Sequence, residues 1–171
     1  MSEWPASVTL VLGGARSGKS RYAEGLITAG GGPWHYIATA EAFDDEMRAR
    51  IREHRSRRAA GWVTVEAPLD LPLALRDAAS RPALVDCLTL WLTNLMLAGR
   101  DLAAETVELD AALRSRTAAT VLVSNEVGLG IVPDNALARA FRDAAGRLNQ
   151  HMAAQATRVV VMVAGLPLCL K

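Results

Sequence analysis

Val8-Thr9-Leu10-Val11-Leu12-Gly13-Gly14-Ala15-Arg16-Ser17-Gly18-Lys19-Ser20 is the stretch on which the reading of this chain turns. It opens with an apolar, partly β-branched run that does not alternate, the pattern of a strand buried on both faces. The eight residues from Gly13 to Ser20 fit G-x-x-x-x-G-K-[ST], with Gly13, Gly18, Lys19 and Ser20 in the fixed places. Gly14, Ala15, Arg16 and Ser17 form the turn between them. Glycines let the backbone wrap around a phosphate with its amide hydrogens inward, and a helix starting at Ser20 directs its positive end at the same anion. Lys19 can reach the β- and γ-phosphates of a nucleotide, and the Ser20 hydroxyl can ligate Mg²⁺. The competing reading is a glycine-rich turn without ligand. The buried strand before it and the helix after it favour the phosphate loop.

Outward from this loop, strands and helices alternate. The helix from Ser20 to about Ala29 is ended by Gly30-Gly31-Gly32-Pro33. A strand is predicted over 34–39, then a charged helix over 41–58 with Phe43, Met47 and Ile51 on one face. A short strand around 63–65 and a helix over 71–79 come next. Ala83-Leu84-Val85-Asp86 reads as a buried strand ending in a carboxylate, before helices over 88–98 and 102–118. Thr120-Val121-Leu122-Val123-Ser124 is the next strand, with a loop from Asn125 to Pro133. Asp134 is placed to cap a helix running to about Ala156. A strand over 159–163 comes last, and the tail over 168–171 can add a short edge strand. This rhythm predicts an α/β domain with a mainly parallel sheet, and no repeat or linker divides residues 1–171.

Composition narrows the partners. Nineteen Lys and Arg against eighteen Asp and Glu leave a formal charge of +1, so the overall field attracts neither nucleic acid nor an anionic membrane. Anion binding must then come from a local site. Cys87 and Cys169 stand far apart in apolar runs and read as small buried hydrophobes in a reducing compartment. The first residues lack the basic and apolar regions of a signal peptide, and no apolar run has the length of a membrane span. The expected location is cytoplasmic.

Three further positions carry candidate chemistry. Asp86 can hold the Mg²⁺ shell through water; it can equally cap the helix beginning near Leu88, and the two roles are compatible. His54 lies in Arg50-Ile51-Arg52-Glu53-His54-Arg55-Ser56-Arg57-Arg58. A neutral imidazole is a nucleophile near pH 7, and neighbouring arginines can hold phosphates. Composition alone reads the segment as a solvated basic helix end. His35 and His151 read as structural. The Asn125–Pro133 loop comes after a buried strand, where open α/β sheets place their ligand crevice, although a tight turn is an equal reading. There is no N-K-x-D element for guanine, nor an arginine-rich lid of the nucleoside monophosphate kinase kind.

Together these residues resemble the bifunctional adenosylcobinamide kinase/adenosylcobinamide-phosphate guanylyltransferase family of cobalamin biosynthesis. The likeness runs through the Gly13–Arg21 loop, Tyr36-Ile37-Ala38-Thr39-Ala40, Asp44-Asp45-Glu46-Met47 and Arg50-Ile51-x-x-His54. It continues in Trp62, Glu66, Asn125-Glu126-Val127-Gly128-x-Gly130-Ile131-Val132-Pro133, Phe141-Arg142-Asp143 and Gly146-Arg147-x-Asn149-Gln150. The resemblance implies a RecA-like P-loop fold assembled as a homotrimer with sites shared between subunits. It implies transfer of the γ-phosphoryl group of ATP or GTP to adenosylcobinamide, then transfer of GMP from GTP through a guanylyl-histidine at His54. It also implies that Ala38, Thr39, Ala40, Arg55, Ser56, Arg57, Arg58, Glu66 and Asp86 contribute to guanine-nucleotide binding. Asn125, Glu126, Gly128 and Gly130 are the candidate contacts to a substrate.

The chain departs from the family pattern in places. Ala59 stands where relatives usually carry Pro, Ser56-Arg57 replaces an Asp-Gly of some relatives, and Asp86 replaces a Glu of others. None of these removes a reacting group. Two other readings remain open on the residues alone: a P-loop kinase for another small alcohol, and a regulatory nucleotide-binding ATPase that acts through a partner.

Overall fold

The computed structural model describes residues 6–41, 60–78 and 80–171. Among the described residues seven strands form one sheet: β1 (Val8–Gly13), β2 (Trp34–Ala38), β3 (Trp62–Glu66), β4 (Ala83–Asp86), β5 (Thr120–Asn125), β6 (Arg158–Val163) and β7 (Leu166–Cys169). Their order is β3-β2-β4-β5-β1-β6-β7. Every neighbouring pair is parallel except β6 and β7. The described helices are α1 (Lys19–Thr28), α2 (Leu71–Asp77), α3 (Leu88–Leu97), α4 (Leu102–Arg114) and α5 (Ala136–Gln155). The α/β, mainly parallel architecture expected from the alternation is the one observed. The predicted helix over 41–58 lies outside the described residues, apart from Glu41.

Because side chains alternate along a strand, the sheet has two faces and each needs a cover. Leu10, Leu12, Ile37, Val85, Leu122 and Val159 face one side, packed with Leu71, Leu75, Trp91, Leu95, Leu109, Leu113 and Leu148 of α2 to α5. Val11, Tyr36, Leu84, Val121, Val123, Val160 and Met162 face the other, packed with Ala23 and Ile27 of α1. Near-continuous apolar strands are thus explained by burial on both sides.

Three boundaries differ from the sequence-based expectation, each for a local reason. Helix α4 stops at Arg114 rather than near Ala118, and the turn after it carries Arg116 into the interior, fully buried. Helix α5 is capped by Asn135, not Asp134: the Asn135 side chain accepts from Ala138 N–H at 2.9 Å. Both residues are competent caps, and the helix start at Ala136 selects the nearer one. The last strand begins at Leu166, joined to β6 through Ala164 (φ 52°) and Gly165 (φ 80°), the two left-handed positions of a tight hairpin turn. Cys169 on this edge strand is exposed rather than buried. Cys87 is buried as expected, and burial, reinforced by the Asp86 charge, pushes its thiol up to about 11. At that value it is a packing residue, not a nucleophile.

His151 Nε2 lies 2.8 Å from Asp110 Oδ2 in a part-buried pair, in keeping with a structural role. His35, in β2, has a buried Nδ1 without a hydrogen-bond partner among the described residues. Burial, and then the charges of Arg81 and Arg116, lower its pKa from 6.5. The fold therefore favours the neutral ring, and this contribution is complete above pH 6.5 and lost as pH falls through the lowered value. Denaturant titrations at pH 7 and pH 5 should show a smaller loss of stability for His35→Gln than for the wild type. An equal loss would show that His35 does not set this dependence.

Candidate active site

The carboxyl ends of the parallel strands bring the candidate residues to one edge of the sheet. Gly13 pairs with Asn125 across β1 and β5. Asp86 pairs with Val123 on one side and Ala38 on the other, and Ala38 pairs in turn with Glu66. Strand β5 thus stands between the strand that delivers the phosphate loop and the strand that ends in Asp86. Residues in register share a face, so Glu66, Ala38 and Asp86 lie on the α1 side, the side on which Lys19 and Ser20 begin their helix.

The phosphate loop has the backbone that anion binding requires. Arg16 (φ 56°) and Gly18 (φ 91°) are both left-handed, within a turn closed by Ser17 N–H donating to Gly14 C=O at 3.3 Å. Alternation of hand along a short loop turns successive N–H groups into a common concavity. Gly13 is required by space: a Cβ there would lie 2.5 Å from Ser17 Oγ and 2.9 Å from the Met162 carbonyl. Gly14, by contrast, faces open space. Gly14, Ala15, Arg16 and Gly18 are exposed, while Ser17, Lys19 and Ser20 are half-buried. Lys19 Nζ donates to Gly14 C=O at 3.0 Å, which holds the ammonium over the loop. Ser17 Oγ is buried and has no hydrogen-bond partner among the described residues, an unused donor inside the loop.

Asp86 does not cap α3. Cys87 occupies the cap position and makes no side-chain cap bond. The Asp86 carboxylate instead accepts from the Tyr36 hydroxyl at 2.8 Å through Oδ2. Tyr36 is itself packed edge-on against Trp62, with ring centroids 5.8 Å apart, and Trp62 meets Trp34 at 5.5 Å. An aromatic row on β2 and β3 therefore sets one oxygen of the acidic group.

Thr39 is fully buried, and its hydroxyl is engaged inside the protein. It accepts from Cys87 N–H at 2.8 Å and donates to Cys87 C=O at 2.7 Å. Asn94 holds the Thr39 carbonyl at 2.8 Å and that of Pro68 at 2.9 Å. Thr39 thus ties the end of β2 to the start of α3, between the half-buried Ala38 and Ala40. Glu66 is exposed at the end of β3.

On the far side of β5 the Asn125–Pro133 segment leaves the sheet. Asn125 and Glu126 are half-buried, and Gly128 and Gly130 are exposed. Gly128 N–H donates to Glu126 Oε1 at 2.7 Å, closing a local turn. Leu129 and Ile131 project with 91% and 98% of their surface open, so the segment offers an apolar edge beside the phosphate loop.

The described fold thus places Gly13–Ser20, Ala38–Ala40, Glu66, Asp86 and Asn125–Gly130 along the carboxyl edge of one sheet. His54, Arg55, Ser56, Arg57 and Arg58 lie outside the described residues. Of the side chains that hold this edge in place, sequence reading missed Thr89 and Asn94 and named Tyr36 and Asn149 only within the family likeness, without a role. Their one signal is a polar residue inside an apolar run, as with Thr89 and Asn94 in Leu88–Leu97.

Residues 9–170 match the family described as cobinamide kinase / cobinamide phosphate guanyltransferase. A protein of Pseudomonas aeruginosa named bifunctional adenosylcobalamin biosynthesis protein CobP is 52% identical over 166 residues, covering 95% of this chain and 96% of the relative. Proteins of Salmonella typhimurium and Escherichia coli, both named bifunctional adenosylcobalamin biosynthesis protein CobU, are each 44% identical over 95% of this chain and 98% of their own length. With the family match running over residues 9–170 and relatives 44–52% identical over 95% of its length, this chain belongs to the cobinamide kinase / cobinamide phosphate guanyltransferase family.

Proposed function

We propose that this chain, working as one domain, phosphorylates adenosylcobinamide with ATP or GTP and then converts the product to adenosylcobinamide-GDP with GTP. The observation that carries the reading is the convergence of the phosphate loop, Asp86 and the Asn125–Pro133 segment at one sheet edge, in a chain whose relatives are named bifunctional.

In the first reaction the aminopropanol hydroxyl attacks the γ-phosphorus. A new P–O bond forms, the bond to the β-phosphate oxygen breaks, and the hydroxyl proton leaves. The loop amides and Lys19 stabilise charge that moves onto the leaving diphosphate. Asn125, Glu126, Gly128 and Gly130 line the acceptor side, where the open apolar edge suits a methyl-studded macrocycle.

In the second reaction a ring nitrogen of His54 attacks the α-phosphorus of GTP and pyrophosphate departs. The phosphate of the corrinoid then attacks the same phosphorus and the P–N bond breaks, which divides one displacement into two. Ala38–Ala40, Arg55–Arg58, Glu66 and Asp86 hold the guanine nucleotide. Since the Thr39 hydroxyl is turned inward, its part is to fix the backbone on either side.

A divalent cation fits the donors present. Tyr36 takes only Oδ2 of Asp86, leaving Oδ1 open among the described residues, and no cluster of three or more acidic, His or Cys ligands occurs there. One carboxylate and one hydroxyl, completed by phosphates and water, is the donor set Mg²⁺ prefers. Ser20 and Asp86 would hold it, and bound there it would neutralise phosphate charge. The same reading assigns a homotrimer with shared sites. It also assigns a cytoplasmic location; among the described residues no helix is long and apolar enough to cross a membrane.

The test is covalent labelling. Incubation with Mg²⁺ and GTP labelled at the α-phosphate should leave an acid-labile, alkali-stable label on the protein, absent from His54→Ala. Binding of GTP without any label would overturn the transferase half of the proposal.

A further inference from the structure

The point at which β5 leaves the sheet is held from three directions. Glu126 N–H donates to the Gly13 carbonyl at 3.1 Å, continuing the pairing with β1 for one residue. Asn125 N–H donates to Thr89 Oγ1 at 2.6 Å, a contact from α3. The Asn125 carbonyl accepts from Asn149 Nδ2 at 3.2 Å, a contact from α5. Thr89 and Asn149 are 5% and 6% exposed, so each bond reaches the half-buried Asn125 backbone from a side chain held in the interior.

Neither residue is explained by packing. Thr89 sits between Leu88 and Leu90 on a helix that is otherwise largely apolar, and its hydroxyl also meets Ser124 Oγ at 3.2 Å. Asn149 is buried beside Leu148 with its Oδ1 lacking a partner among the described residues. A core built only for stability would place an apolar side chain at such a position, since half of this amide goes unsatisfied. What the amide does accomplish is one bond to the backbone of Asn125. The Asn125 carboxamide, in turn, makes no hydrogen bond among the described residues and stands level with Gly13 at the phosphate loop.

We propose that Thr89 and Asn149 are positioning residues for phosphoryl transfer: they clamp the Asn125 peptide from two helices and so fix where its carboxamide and the Glu126–Pro133 segment meet the acceptor alcohol. This rests on the kinase reading of the site. The clamp also joins the two substrates mechanically, because the peptide bond it holds leads directly to the amide bonded to Gly13. Thr89 lies in the first turn of the helix after Asp86, and Asn149 belongs to the helix after the acceptor segment, so three parts of the crevice share one anchored peptide.

The experiment compares Thr89→Val, which keeps the volume and removes the hydroxyl, with Thr89→Ser, which keeps the hydroxyl, and with Asn149→Leu. Transfer from GTP to adenosylcobinamide, the Kd for GTP and amide exchange at Asn125 and Glu126 are measured on each full-length protein. In Thr89→Val and Asn149→Leu, kcat should fall about tenfold or more, the scale of a small misplacement at a reacting centre. GTP affinity should stay within about twofold, exchange at both amides should quicken, and Thr89→Ser should recover most of the rate. Folded variants with unchanged kcat overturn the proposal, as do variants in which GTP affinity falls in step with kcat. If neither Thr89→Val nor Asn149→Leu folds, the two groups are core staples and the proposal fails. A wild-type protein that binds GTP but phosphorylates no adenosylcobinamide would defeat the kinase reading instead, while the exchange rates would still report on the clamp.

Discussion

A Lys19→Met protein is expected to lose about two to three orders of magnitude in phosphoryl transfer, the scale for removing one preorganised charge donor, while unfolding no more easily than the wild type. The two halves of this expectation come from different parts of the geometry. Lys19 holds its ammonium over the loop by donating to Gly14 C=O at 3.0 Å, where it can follow the phosphates as charge moves. Guanylylation should fall as well, since both reactions require the same triphosphate to be seated. Lys19 is also the first residue of α1, at the positive end of the helix. A cation is unfavourable there by about 0.3–1 kcal/mol, so its removal relieves a small strain on the fold. Initial rates with adenosylcobinamide, the α-phosphate label and a thermal melt measured together test both halves. Near-normal phosphorylation would show that the loop has been misassigned, and a lowered melting temperature would show that Lys19 is structural.

The largest stability effect is expected far from the crevice, at Arg116. Its guanidinium is fully buried, and its hydrogen bonds among the described residues go to oxygens that carry no charge. It donates to Thr120 Oγ1 at 2.6 Å, to the Leu75 and Ala78 carbonyls at 2.9 and 3.0 Å, and to the Arg81 carbonyl at 2.6 Å. Leu75 and Ala78 lie at the carboxyl end of α2, where unpaired carbonyls and the helix dipole both favour a cation. Burial pulls the pKa of the guanidinium down to about 10, which leaves it charged at neutral pH. Arg116→Met would strand four acceptors in the core, a loss of about 3–5 kcal/mol when each counts between about 1 and 3 and relaxation recovers part. That is a large share of the roughly 5–15 kcal/mol that holds a domain folded, and corresponds to about 10 °C in Tm. Arg116→Lys should fall between, since an ammonium has three donors and no planar fork. The exposed Arg76–Glu108 pair, at 2.5 Å, is the control: Arg76→Ala should cost under about 1 kcal/mol despite the shorter contact. Denaturant unfolding of the three variants gives the comparison, and an Arg116→Met protein within about 1 kcal/mol of wild type would refute the role assigned to this side chain.

These residues mark the boundary of what the sequence makes legible. The phosphate loop can be read because everything it needs is local: glycines at fixed spacing, a lysine, a strand before and a helix after. Asp86 and the Asn125–Pro133 segment can be read because a parallel sheet places the ends of its strands together, so position in the alternation is position at the edge. Arg116 could not be read this way. Its partners Leu75, Ala78 and Arg81 are 35 to 41 residues distant, and nothing in Ser115-Arg116-Thr117 distinguishes an inward arginine from a solvated one. The Thr39 hydroxyl shows the same limit, since its partner Cys87 is 48 residues away. At the start of α5 the sequence points to Asp134 as the cap, and the backbone selects its equally competent neighbour Asn135.

The neighbours of the phosphate loop have a consequence for how the protein is made. Strand β1 is held by β5 and β6, and Gly13 and Gly18 rest against Met162 and Gly165. Ribosomes deliver the first strand long before either flank, and chains acquire structure in the order in which their contacts emerge. The segment that announces nucleotide binding is translated before both of the strands that flank it. A growing polypeptide therefore carries the motif without the walls that shape it until β5 and β6 have emerged, and the capacity to hold a triphosphate arrives with them.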